Sequence, residues 1–121
     1  MNTLTKLRKL KTFMEEAASI DTAYNKEYDP NDLLQRKMHN HCGCASFVVQ
    51  MMYGGQIVSM KRHYWNKIED TLQIDMTMVQ GITNPRYSVY NVCPPRKHAN
   101  MRFQKFYDRV VNLLHEYPEI L

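Results

Sequence analysis

The segment from Cys42 to Tyr53, CGCASFVVQMMY, is apolar nearly all round and ends at Gly54-Gly55. A helix without a polar face has to be covered on every side, so any fold of this chain is built around that segment. Asn40 is placed to cap its start and the two glycines to stop its end. With 121 residues, 44% of them hydrophobic, the chain can supply that cover as one domain, residues 1–121, without staples.

The flanking segments provide the cover. Leu4, Leu7, Leu10, Phe13 or Met14, and Ala17 recur at helical spacing, which predicts an amphipathic helix over residues 3–18. From Ile20 to Lys37 the Asp-Pro and Asn-Asp signals predict mostly loop, with one helical turn near Asn31 to Gln35. Gln56 to Met60, His63 to Ile68 and Leu72 to Met76 are rich in β-branched and aromatic residues and predict three strands. An irregular stretch with Pro85, Pro94 and Pro95 follows. Met101 to Glu116 then predicts a last amphipathic helix through Phe103, Phe106 or Tyr107, Val110, Val111 and Leu114. The expected class is α+β, with N-terminal helices packed on a short antiparallel sheet and a helix closing the chain.

Composition excludes several roles. No apolar run approaches the length of a membrane span, so no membrane partner is expected. The first twenty residues have neither a continuous apolar core nor a small-residue cleavage site, which argues against a secretory signal. Three cysteines cannot all pair within one chain, and two stand only two positions apart; reduced thiols in a cytoplasmic compartment are expected. The net charge of +4 is mild. Basic residues gather late, at Arg86, Arg96, Lys97, Arg102, Lys105 and Arg109, in the manner of a solvated face, and nucleic acid is not the expected partner.

The chemistry is concentrated in HNHCGC, residues 39–44. A thiol is a strong nucleophile only as thiolate, and a helix N-terminus beside an imidazolium favours that form. Cys42 stands where the helix begins; Cys44, one step inside, suits a packed thiol. Taken alone, Cys42 reads first as a small buried hydrophobe. HYWNKIEDTLQIDMT, residues 63–77, alters the balance. Side chains alternate along a strand, so His63, Trp65 and Lys67 share a face. If Glu69-Asp70-Thr71 forms a three-residue turn, Trp65 faces Asp75. His63 and Asp75 are then diagonal neighbours, roughly 5–8 Å apart at Cβ. A two-residue turn places Asp75 on the wrong face. The arrangement asks for Cys42 as nucleophile, His63 as base and Asp75 as the group that holds the ring.

Along the chain these residues fall in a larger pattern: His41-Cys42, Ala45, Val48-Val49-Gln50, Gly54-Gly55, Ile57, His63 to Asn66 with Ile68, and Ile74-Asp75 with Thr77 and Gln80. It resembles the YunG-like family of small bacterial and phage proteins over residues 40–80. The H-x-W followed by D-x-T is also similar to the core of papain-like and transglutaminase-like cysteine hydrolases. The resemblance implies a compact papain-like core and a catalytic Cys42, His63 and Asp75. The link into His63 is shorter than relatives of this type often carry. The spacing from Cys42 to Gln50 fits the family pattern; counted from Cys44 it does not.

Around this triad, Trp65 is expected to pack beside the site, and Thr77 and Gln80 to orient the aspartate; Asn66 belongs to the same pattern. Gln35 or Asn40 is a candidate to complete an oxyanion hole beside the Cys42 N–H. His39, His41, Cys42 and Cys44 invite a zinc reading. Structural zinc draws spaced pairs from two segments, and only Cys93 and His98 are left to supply the second, so no metal or other cofactor is expected. The favoured expectation is a thiol hydrolase or acyl transferase acting on an amide, ester or thioester of a protein or small molecule. The alternative is a catalytically silent binding protein, such as a phage-encoded inhibitor of a host factor, using Arg102, Lys105 and Arg109 on a basic C-terminal surface.

Overall fold

A computed structural model describes residues 2–19, 21–24, 38, 40–69, 71–79, 81–83, 85, 87–94 and 100–120. Its elements are helix α1 (Thr3–Ala17), helix α2 (Cys42–Tyr53), strands β1 (Gln56–Met60), β2 (His63–Glu69), β3 (Leu72–Ile74) and β4 (Asn91–Val92), and helix α3 (Met101–Leu114). A short 3₁₀ turn, Pro118–Ile120, follows α3. The class is α+β, as expected, with one antiparallel sheet in the order β3-β2-β1-β4. The helical turn expected near Asn31 to Gln35 lies outside the described residues.

Helix α2 is the centre of the molecule, and its sequence dictates that place. Every residue from Gly43 to Val49 is buried. One side of α2 packs on β2 and β1 and another meets α3, while α1 lies mainly against α3 and the final turn. Of the N-terminal helices expected on the sheet, α2 is therefore the one that packs on it; α1 belongs to an outer layer. The α1 side chains Leu7, Leu10 and Met14 join Phe106, Val110 and Leu114 of α3 in the core. Burial of each such side chain contributes about 1.5–3 kcal/mol. Gly43 permits the close approach of α2 and α3: a Cβ there would stand 2.7 Å from the Phe103 ring.

The caps differ from one helix to the next. Asn2 and Asn100 each accept a backbone N–H, from Thr5 and Phe103, both at 2.8 Å. Helix α2 has no such side-chain cap, and its N-cap is His41 rather than Asn40. Asn40 instead takes the left-handed conformation, φ 59°, which Asn tolerates, and its carbonyl accepts the Tyr24 N–H. The glycine stop is as expected: Gly54 adopts φ 75°. At Gly55, φ 78°, a Cβ would stand 2.5 Å from the Lys67 carbonyl, so only glycine lets the chain enter β1 there.

The β2–β3 connection differs from the expected three-residue turn. The closing pair is Glu69 opposite Leu72, which leaves a two-residue link, with Asp70 outside the described residues. By itself that link puts Asp75 on the wrong face. A register shift between Lys67 and Glu69 corrects it: Ile68 is the extra residue of a bulge, and further along Lys67 opposes Gln73 and Asn66 opposes Ile74. One step onward, Trp65 faces Asp75. β3 ends at Ile74, short of the expected Met76, because the Asp75 N–H turns to the Ile82 carbonyl. Strand β4 lies inside the stretch expected to be irregular and pairs Val58 with Val92.

Candidate active site

His63 opens β2 and Asp75 leaves β3 on the neighbouring strand, and their side chains meet: His63 Nε2 and Asp75 Oδ2 are 2.6 Å apart. Asp75 is buried, and a buried carboxylate is tolerable only when its oxygens are fully engaged. Its other oxygen, Oδ1, accepts the Thr77 hydroxyl at 2.6 Å and the Thr77 N–H at 2.9 Å. Burial pushes the Asp75 carboxyl up, but the His63 and Thr77 hydrogen bonds outweigh it and the net direction is down. The result is a fixed anion behind the imidazole.

With Nε2 committed to Asp75, Nδ1 is the ring nitrogen left for another partner. Cys42, the first residue of α2, brings its thiol within hydrogen-bonding reach of that ring. Burial pushes the Cys42 thiol up; the His63 hydrogen bond, the Tyr64 backbone N–H and the imidazolium charge together bring it below its ordinary value. The His63 imidazole is raised to about 9, first by Asp75 and then by Cys42, against its own burial. Both shifts run toward the charged thiolate–imidazolium pair, the form in which a cysteine attacks an electrophile.

The other expected residues divide into three groups. Trp65, 1% exposed, stacks beside His63 with ring centroids 5.7 Å apart and is fixed by its Nε1–H donating to Gln73 Oε1 at 2.8 Å. Thr77 holds Asp75, and Asn40 lines the same cleft as Cys42. Asn66 stands apart: it faces α2 and donates to the Ser46 carbonyl at 3.0 Å, a bond between helix and sheet. Gln35 and Gln80 lie outside the described residues.

Other participants had no legible signal in sequence. Tyr64 acts through its backbone, which only the strand register reveals. Gln73 and Tyr87 fix and flank Trp65. Lys11 of α1 donates to the carbonyls of Met78 at 2.5 Å and Gly81 at 2.9 Å, pinning the loop that follows Asp75. A cleft of about 390 Å³ opens beside Cys42, lined among others by Tyr24, Asn40, Arg62, Arg102 and Phe103.

The residues of the zinc reading are drawn elsewhere. His41 is fully buried, with Nε2 2.7 Å from the Thr22 hydroxyl. The Cys44 thiol points at the Thr22 carbonyl, 3.3 Å away. His39 and His98 lie outside the described residues, among which no three potential ligands come together. Cys42, Cys44 and Cys93 are all free thiols. No helix among the described residues is long and apolar enough to cross a membrane.

The described domain is α+β and places Cys42 at a helix start, near His63 at the head of β2 and Asp75 just beyond β3. The model of the YunG protein family matches residues 6–116, and the chain belongs to that family. No curated protein and no solved structure matches it.

Proposed function

We propose that this protein is a cysteine hydrolase or acyl transferase with a papain-like core, acting on an amide, ester or thioester carbonyl through Cys42, His63 and Asp75. One observation carries the proposal: the imidazole raised to about 9 is shared between a buried, fully hydrogen-bonded carboxylate and a thiol whose own pKa is lowered. A structural histidine needs only one such partner. Two partners of opposite need, one holding the ring and one giving up its proton, make a proton-transfer unit.

The chemistry follows from the charges. The Cys42 thiolate attacks the carbonyl carbon and the C=O electron pair moves onto oxygen. Helix α2 lacks a side-chain cap, so the N–H groups of its first turn are placed to stabilise that oxyanion, with Asn40 beside them. As the tetrahedral adduct collapses, the His63 imidazolium gives its proton to the leaving nitrogen, oxygen or sulfur, and an acyl thioester remains on Cys42. The imidazole, now neutral, takes a proton from water or an incoming amine, which attacks the thioester and regenerates the thiol. Asp75 keeps Nδ1 aimed at the sulfur throughout.

The basic surface of the alternative binding role is less available than its sequence suggests, since Lys105 and Arg109 both engage Asp21. An acyl-transfer probe separates the two. With p-nitrophenyl acetate, the expected result is a burst of nitrophenolate with the acetyl group mapped to Cys42, absent from Cys42→Ala. No burst, or acetyl spread evenly over the three cysteines, contradicts the proposal.

A further inference from the structure

Resting on the thiol chemistry above, we propose that the cleft beside Cys42 selects substrates carrying an oxyanion group, a carboxylate or a phosphate, held between the guanidinium groups of Arg62 and Arg102. Both residues line the cleft, and none of its described lining residues is acidic. Its volume of about 390 Å³ suits a small acyl group or a single side chain with its backbone.

Arg102 is held in place as a recognition group. Its guanidinium lies 5.0 Å from the Phe103 ring centroid and 5.5 Å from that of Tyr24, and Nη1 donates to the Thr22 carbonyl at 3.4 Å. Nη2 lies 3.9 Å from the point a Cβ on Gly43 would occupy, so the cation stands next to the residue that follows the thiol. A guanidinium set against two rings and bonded to a carbonyl still has N–H groups to offer, and their planar fork matches a carboxylate or phosphate. Elsewhere on α3, Arg109 and Lys105 are matched by Asp21. Among the described residues Arg102 meets no carboxylate. A larger depression of about 660 Å³, lined by Glu16, Asp21 and Arg109 among others, has its arginine already paired with Asp21 and makes no such demand.

Arg62 supplies an independent observation. Lys61 and Arg62 form the two-residue turn between Met60 and His63, with φ of 51° and 64°. Such a turn favours Asn-Gly, and a long side chain in the left-handed region carries a conformational cost. The chain keeps a cation at a strained position on the rim of the cleft, where Asn or Gly is the better turn residue. Lys61 shares that conformation, and of the two only Arg62 lines the cleft.

Alkylation tests this without a known substrate. Iodoacetate and iodoacetamide deliver the same carbon to sulfur and differ in charge, so the ratio of their rates at Cys42, with Cys93 as internal reference, reports anion recognition. The ratio at Cys42 is expected to exceed that at Cys93 and to fall about 3- to 10-fold in Arg62→Asn or Arg102→Gln, with the excess shrinking as salt rises. Arg62→Asn guards against misfolding, because Asn suits the turn and its melting temperature should equal or exceed the parent's. Succinate and inorganic phosphate, added as protectants against iodoacetamide, identify the anion as carboxylate or phosphate by which protects better. A ratio unchanged in both variants, or protection by neither anion, overturns the inference. Failure of the thiol chemistry looks different: Cys42 would then show no advantage over Cys93 even with neutral iodoacetamide.

Discussion

Cys42 and Cys44 stand on the same first turn of one helix, yet the fold gives them opposite chemistry. Cys44 is fully buried, donates to the Thr22 carbonyl, and burial pushes its thiol up to about 12. Cys42 is half-buried, and burial is the largest single influence on it too, but His63 and the Tyr64 N–H reverse the outcome. The helix terminus is shared; the imidazole is not. Position on a helix therefore does not by itself lower a thiol's pKa; here the partner on the neighbouring strand does. The contrast is set by β2, which brings His63 to one side of the turn only.

The changes with the largest expected effect abolish the difference. Cys42→Ala and His63→Ala should each lower acyl-transfer activity by about 10⁴-fold or more while leaving the circular dichroism spectrum in place, because the two act as one unit. Retained activity in either variant refutes their pairing. Asp75→Asn removes the charge behind His63 but can keep a hydrogen bond, so a large loss, smaller than that of Cys42→Ala or His63→Ala, is expected, with the alkylation profile of Cys42 moved toward that of an ordinary thiol.

Acidity and alkalinity should dissolve the contrast from both sides. A group raised on folding, as His63 is from 6.5 to about 9, stabilises the folded state fully below its ordinary value and ceases to do so as pH passes about 9. Asp75, lowered from 3.8, contributes above that value and loses its contribution as pH falls below it. Thermal melting across pH should show the site's stabilisation greatest between these limits; in Asp75→Asn the alkaline loss should shrink.

Two smaller effects separate packing from chemistry. Cys44→Ala empties a buried position and should cost about 1–2 kcal/mol in denaturant titration, while Cys42 alkylation keeps its rate. Thr77→Val removes one of the three hydrogen bonds to Asp75, costs about 1–3 kcal/mol and slows Cys42 alkylation only a few-fold. A larger chemical effect from Cys44→Ala than from Thr77→Val contradicts the division between the two thiols.

Much of this was legible in sequence because it rests on periodicity. The three helices and the first three strands follow from apolar spacing and glycine stops, and the Cys42, His63 and Asp75 positions follow from motif order. The bulge at Ile68 was not legible: it adds a residue without a signature, and it restores the face that the short link to Leu72 alone would reverse. Strand β4 is two residues long and depends on its neighbour β1, not on its own propensity. Nor could sequence supply Arg62 and Arg102, forty positions apart, since only the turn after β1 and the start of α3 bring them to one cleft.

In the proposed mechanism His63, and not the helix, makes Cys42 a nucleophile. The most direct test is the rate of iodoacetamide labelling at each cysteine across pH, in the parent and in His63→Ala, read by mass mapping. Cys42 is expected to label first at neutral pH, with Cys93 lagging and Cys44 nearly silent, and His63→Ala to move the Cys42 profile to higher pH. Equal rates at all three thiols, or a Cys42 profile indifferent to His63→Ala, would contradict that mechanism.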